Sequence, residues 1–120
     1  MAATDTRAEV LMPKTRSTAA VARGKKEAEQ RFKRAQRASI LLKHVSDATR
    51  LQVILLLAEG ERHVGDLSES LNQSQPAVSH HLALMRHGGI VVPRRQGKNN
   101  YYSLTETGEI LAKVVRSMTS

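Results

Sequence analysis

The sequence predicts a mainly α-helical domain in which a β-hairpin separates the last helix from four earlier ones, in the order α-α-α-α-β-β-α, and three observations predict it. Apolar residues recur at helical spacing in five stretches between Lys25 and Met118. Two of those stretches are separated by nothing more than Asn72-Gln73-Ser74. Two β-rich runs, Ile90-Val91-Val92 and Tyr101-Tyr102-Ser103-Leu104, flank the turn-forming Gly97-Lys98-Asn99-Asn100.

The first helix is expected from Lys25, where strong helix formers take over and Ala35, Ala38, Leu41, Leu42 and Val45 gather on one side; it ends at His44 to Ser46. Asp47 or Ser46 caps a second helix that runs to Glu59 and stops at Gly60, which is expected in the left-handed C-terminal conformation. The apolar run from Val53 to Ala58 marks it as the buried helix. Val64, Leu67 and Leu71 give a short third helix, and Asn72 tolerates positive φ in the turn that follows. Ser74 is a good N-cap for the fourth helix, and Pro76 falls in its first turn, where a missing N–H costs nothing. Val78, Leu82 and Met85 then continue an apolar face, within which His81 reads as a partly buried histidine with one satisfied nitrogen. Pro93 limits the first hairpin strand to an edge or a late start, and alternation sends one of Tyr101 and Tyr102 inward and the other outward. Ile110, Leu111, Val114, Val115 and Met118 form the stripe of the last helix, with Glu109 spaced to pair with Lys113 on the opposite face.

Two short helices joined by a tight turn and followed by a charged hairpin have the spacing of a winged helix-turn-helix. A helix that enters a major groove needs small or hydrogen-bonding side chains in its first turns, so that its backbone can approach base edges. The fourth helix has them: Gln75, Pro76, Ser79, His80, Ala83, Arg86 and His87 share one side. Gln75 suits bidentate pairing with adenine, Ser79 and His80 can reach base edges or phosphates, and Ser74 and Arg86 position the DNA backbone. On the hairpin, Arg94, Arg95, Lys98 and Asn99 are the expected wing contacts, since the stretch from Arg86 to Lys98 holds four Lys/Arg and no acid.

Composition narrows the alternatives. The chain has 120 residues, no cysteine and no tryptophan, with Phe32, Tyr101 and Tyr102 its only aromatics. Disulfide frameworks, thiolate metal sites and cysteine nucleophiles are thereby excluded, and a base-stacking platform for single strands has little to work with. The longest apolar run is six residues, far short of a membrane span. The formal charge of +8 is uneven: residues 1–37 hold ten Lys/Arg against four Asp/Glu, residues 38–120 nine against seven. Residues 1–24 read as a basic, disordered arm, and residues 25–120 as the DNA-binding and dimerisation domain. No apolar segment follows the basic residues, so the arm is not a signal peptide, and Asp5 and Glu9 count against a transit peptide.

Four motifs, Ser46-Asp47-Ala48-Thr49-Arg50-Leu51, Val64-Gly65-Asp66-Leu67, Ser74-Gln75-Pro76-Ala77-Val78-Ser79-His80-His81-Leu82 and Tyr101-Tyr102-Ser103-Leu104, closely resemble the ArsR/SmtB family of winged-helix repressors over roughly residues 38–116. The resemblance implies a homodimeric prokaryotic repressor, paired through its first and last helices, that binds double-stranded DNA at an imperfect inverted repeat. It implies a cytoplasmic protein, nucleoid-associated when bound. Leu41, Leu42, Ile110, Leu111, Val114, Val115 and Met118 are the interface residues expected on that basis, and the stripe of the last helix independently asks for a partner. The departures are in the sensing sites. Where metal-sensing branches carry Cys-x-Cys, this chain has His63-Val64-Gly65, and where another branch carries Asp-x-His and a second His/Glu pair it has Glu106-Thr107-Gly108 and Arg116-Ser117-Met118-Thr119. A lone carboxylate does not hold a transition metal, so no metal or cofactor is expected, and the sequence names no inducer. His44 and His63 read as surface groups near helix ends, with His63 the one imidazole that a site might recruit, and His80 and His87 are too far apart to chelate one ion. Ser79 and His80 are consecutive on a helix and point apart, so no catalytic pair is seen and an enzyme is not expected. An architectural or RNA-binding module without operator choice is the alternative class.

Overall fold

The structure, a computed structural model, describes residues 17–120. The chain divides into two compact units, Met1–Ser39 and Ile40–Ser120. Its elements are α1 (Thr18–His44), α2 (Ala48–Glu59), β1 (Arg62–His63), α3 (Val64–Leu71), α4 (Gln75–His87), β2 (Val91–Gln96), β3 (Asn99–Leu104) and α5 (Glu106–Thr119). The five helices and the hairpin agree with expectation, and β1 is an addition too short to carry a pattern. No described helix is long and apolar enough to cross a membrane.

Helix α1 starts at Thr18, so residues 18–24 of the expected arm are helical, while residues 1–16 lie outside the described residues. The physical reason is a cap: the Ser17 hydroxyl accepts from the Ala20 N–H at 3.1 Å, and the alanines that follow favour helix enough to carry it through Gly24. Asp47, not Ser46, caps α2, accepting from the Arg50 N–H at 3.0 Å. That hydrogen bond is the main cause holding the Asp47 carboxyl below its ordinary value. Gly60 does end α2, but at φ 154° and ψ 166°, in the mirror of the extended region and not in the left-handed helical one expected. The chain must leave α2 directly into β1, and glycine alone makes that exit without strain.

The core of the Ile40–Ser120 unit lies where α2, α3, α4 and α5 meet the hairpin. Val53, Ile54 and Leu57 of α2, Leu67 of α3, Val78, Leu82 and Met85 of α4, and Ile90, Val91 and Ala112 are buried in one cluster. The sheet order is β1-β3-β2, which leaves Pro93 on an edge strand as its missing donor requires. The register pairs Val91 with Leu104 and Gln96 with Asn99, so the loop is only Gly97-Lys98, tighter than the tetrad expected. Gly97 has φ 63° at the first of the two loop positions, as a II′ hairpin turn demands. Tyr102 packs against the core, whereas Tyr101 stacks its edge on the His63 ring at 5.4 Å. The spacing-permitted Glu109–Lys113 pair does not form: both side chains stay solvated, where such a pair is worth only a few tenths of a kcal/mol.

Candidate nucleic-acid interface

The turn between α3 and α4, and α4 itself, are fixed by side-chain hydrogen bonds. Asn72 takes φ 54°, ψ 45° at the end of α3, and its successor Gln73 donates from Nε2 to the Thr49 hydroxyl of α2 at 3.0 Å. The Ser68 hydroxyl donates to the Gln73 carbonyl, closing the turn on α3. Ser74 then caps α4, its hydroxyl accepting from the Ala77 N–H at 3.3 Å. At the inner face of α4, His81 Nδ1 accepts from Arg50 Nε at 3.3 Å, and Arg50 Nη1 donates to the His44 carbonyl at 2.6 Å. One guanidinium on α2 thus joins the end of α1 to α4, and His81 is the half-buried, singly satisfied histidine expected.

With its inner face so held, α4 turns Gln75, Ser79, His80, Ala83 and Arg86 outward, all of them exposed, as Ser74 is too. Among the described residues no hydrogen bond or ion pair occupies the side chains of Gln75, Ser79, His80 or Arg86. Gln75 and Ser79 line a polar cleft of about 320 Å³ whose opposite wall is the hairpin tip, Lys98, Asn99 and Asn100, and whose floor is His63-Val64-Gly65. The cleft therefore brings together Gln75, Ser79, Lys98 and Asn99 of the expected contacts. Asn100, Gly65 and His63 were not among them. Gly65 matters through its missing side chain, because a Cβ there would stand 2.9 Å from the His63 ring. His63 caps α3, with Nδ1 accepting from the Asp66 N–H at 3.3 Å and Nε2 facing the Asp66 carboxylate at 3.5 Å. The cap engages Nδ1, and among the described residues no group of three or more His, Asp or Glu stands close enough to hold a metal ion.

The wing is less uniformly basic than its local sequence. Arg94 donates to Glu61 through two parallel bonds, Nε to Oε2 at 3.0 Å and Nη2 to Oε1 at 2.5 Å, and lies 5.3 Å above the Tyr101 ring. It is a strut between the hairpin and Glu61, the residue just before β1, not the unpaired cation that the Arg86–Lys98 stretch suggests. Glu61 had no local signal, since its partner lies 33 residues on and is reached only because β1 pairs with β3. Arg95 donates to the Gly97 carbonyl at 3.1 Å, which leaves the rest of its guanidinium at the exposed tip beside Lys98.

The Arg94 bond, with its charge in support, holds the Glu61 carboxyl below its ordinary value of 4.5. A carboxylate depressed in the fold stabilises it above the ordinary range, and that contribution disappears as pH falls through the depressed value. An NMR titration should accordingly place the Glu61 midpoint below 4.5, and Arg94→Gln should return it to that value. An unshifted midpoint in the unaltered protein would mean that the strut is absent in solution.

The expected interface residues divide. Leu42, Ile110, Val114 and Met118 are exposed by 57, 56, 44 and 77%. Leu42, Val114 and Met118 border an apolar groove of about 330 Å³ together with Leu111 and Val115, which are half-buried. Leu41 instead turns into the core beside Val45, because the two neighbours on a helix cannot face the same way.

Residues 47–92 match the family described as "Bacterial regulatory protein, arsR family". The chain is 50% identical over 66 residues to the arsenical resistance operon repressor of Escherichia coli K12, an alignment spanning 54% of this chain and 56% of that one. It is 39% identical to the transcriptional activator HlyU of Vibrio cholerae over 62% of this chain and 69% of that relative. Among solved structures, the homodimeric winged helix-turn-helix DNA-binding domain Mb0332 of Mycobacterium bovis superposes with a TM-score of 0.64 at 28% identity, covering 70% of this chain and 79% of that domain. With the helix-turn-helix and the wing in the fold and these likenesses beside them, the chain belongs to the ArsR family of bacterial regulatory proteins.

Proposed function

We propose that the protein is a sequence-specific transcriptional repressor that binds an inverted-repeat operator as a homodimer. The observation that carries this reading is the cleft: an exposed polar face of α4 opposite a wing tip bearing Lys98 and Asn99, with Arg95 alongside. A helix with Gln75, Ser79 and His80 outward matches what major-groove readout requires, and Ser74, Arg86, Arg95 and Lys98 supply backbone contacts. Two copies would set their α4 helices into successive major grooves about 34 Å apart. The homodimer reading is supported by the exposed stripe of α5 and by the printed description of Mb0332 as homodimeric. Repression follows the printed name of the E. coli relative, and the activator name of HlyU makes the sign of regulation something to measure. A chain without cysteine lacks thiolate sensing, and we infer a repressor released by something other than the family's metal or cysteine switch. Its place of work is the cytoplasm, on the nucleoid.

Selection of bound fragments from random duplex DNA should recover a palindromic consensus. Recovery without any preference would overturn operator recognition in favour of an architectural or RNA-binding role. Within the selected site, Gln75→Ala should relax preference at one base position per half-site by about 1–3 kcal/mol. Arg95→Ala should weaken all sequences alike and reduce the slope of log K against log salt by about 0.9 per copy. Gel shifts across a salt series separate the two, and a changed consensus with Arg95→Ala would refute this division of roles. Transcription in vitro from a promoter carrying the site should fall on adding the protein, whereas a rise would identify an activator.

A further inference from the structure

The described part of the first unit, residues 17–39, carries seven Lys/Arg and two Asp/Glu. Helical spacing sorts them. Arg23, Lys26, Lys33, Arg34 and Arg37 fall within an arc of about 100°, along about 21 Å of the helix axis. Their side chains are exposed. Lys33, Arg34 and Arg37 border a shallow concavity of about 360 Å³ together with Gln30, whose amide adds a donor among the cations. Glu27 and Glu29 stand at the two edges of the stripe, and among the described residues neither forms an ion pair with it. Five unneutralised cations in one row are costly to keep together, by mutual repulsion, unless a polyanion is their partner.

We propose that this face of α1 is a second, sequence-independent DNA-binding surface, one that takes the phosphate backbone of duplex flanking the operator. The inference rests on the DNA-binding reading of α4 and the wing, because that reading is what brings duplex to the same molecule at high local concentration. A lipid surface fits less well. The only large apolar side chains exposed between residues 17 and 39 are Val21 and Phe32, whereas a helix lying in a membrane interface needs a broad face of bulky ones. The stripe explains why a chain whose residues 38–120 carry only two net positive charges has a formal +8.

The test compares two duplexes by fluorescence anisotropy over 50 to 200 mM salt: the selected site alone, and the same site with about two helical turns of arbitrary flank on each side. Wild type should gain affinity and slope from the flanks. The variant Arg23→Gln, Lys26→Gln, Lys33→Gln, Arg34→Gln and Arg37→Gln should lose that gain, with a slope smaller by about 4.5 per copy and an affinity loss that changes about 500-fold per copy across the salt range. The selected consensus should be unchanged. Because glutamine keeps helix propensity, far-UV circular dichroism should not move. The charge-keeping variant Arg23→Lys, Arg34→Lys and Arg37→Lys should retain the slope, and its loss there would overturn the proposal whatever the first variant does. Equal slopes for wild type and the glutamine variant would also overturn it. So would binding of wild type, but not the variant, to phosphatidylserine vesicles with DNA slopes unchanged, which would assign the face to a membrane. Absence of any consensus, with the slope difference intact, would refute operator reading while leaving the α1 surface supported.

Discussion

Gly108→Ala is expected to destabilise the Ile40–Ser120 unit by about 1–3 kcal/mol, the usual cost of an overpacked site, although alanine is the better helix former. In a free helix the same change would stabilise by about 1 kcal/mol, so the sign depends on what the new methyl meets. At Gly108 it would stand 2.3 Å from the Ile90 carbonyl oxygen, 2.9 Å from Leu104 Cδ2 and 3.1 Å from Leu104 Cβ. The leucine can adjust, but the carbonyl cannot. It accepts from the Thr105 N–H at 3.0 Å, and the Thr105 hydroxyl, which shares its one proton between the Gly89 carbonyl at 2.6 Å and the Ile90 carbonyl at 3.0 Å, accepts from the Gly108 N–H at 3.2 Å. Moving the carbonyl would break the cap of α5, so the first turn of α5 must lift away from the strand. Thermal unfolding should show the midpoint falling by about 4–8 °C for each kcal/mol lost in a unit of this size. A midpoint equal to or above wild type would mean that α5 does not seat on Ile90 in solution.

How far the chain could be read in advance follows from the range of each signal. The helix-turn-helix was legible because its determinants are local: Ser74 three residues before the N–H it caps, Pro76 in the first turn, and Val78, Leu82 and Met85 at helical spacing, all buried as the spacing implies. The outward set on α4 follows from the same wheel, and each of its members is exposed. What depended on tertiary pairing was not legible. Glu61 and Arg94 are ordinary surface charges until a two-residue strand brings them together. Gly108 looks like a weak point in an amphipathic helix until the Ile90 carbonyl lies beneath it. Leu41 and Leu42 are equivalent in sequence, and only the seating of the last turns of α1 on the core sends one inward and leaves the other 57% exposed. The start of α1 was missed because residues 18–24 have no apolar period to report a helix, only propensity and the Ser17 cap.

The double substitution Val114→Glu with Met118→Glu is expected to leave a folded chain that sediments as a monomer of 13.2 kDa and binds the operator about 10²–10⁴-fold more weakly. Helix α5 has one committed side, with Gly108 and Ala112 buried, and one open side, with Ile110, Val114 and Met118 four residues apart and exposed. A charge at an exposed position changes monomer stability by roughly half a kcal/mol or less, so folding should survive. In a two-fold interface the same four carboxylates, two from each copy, would meet across an apolar seam and lose their water without gaining a counter-ion. On the proposed homodimer, operator binding falls with it because each copy would read one half-site, and the second half-site would then have to be found from solution instead of from the linked partner. Sedimentation velocity and gel shifts on the full inverted repeat and on an isolated half-site measure both consequences. The monomer should bind the half-site as wild type does at equal subunit concentration, since Gln75, Ser79 and Lys98 lie on the other elements, α4 and the hairpin tip. A variant that remains dimeric would place the two-fold contact away from α5, and a monomer that keeps full affinity for the inverted repeat would show that the two half-sites are read independently.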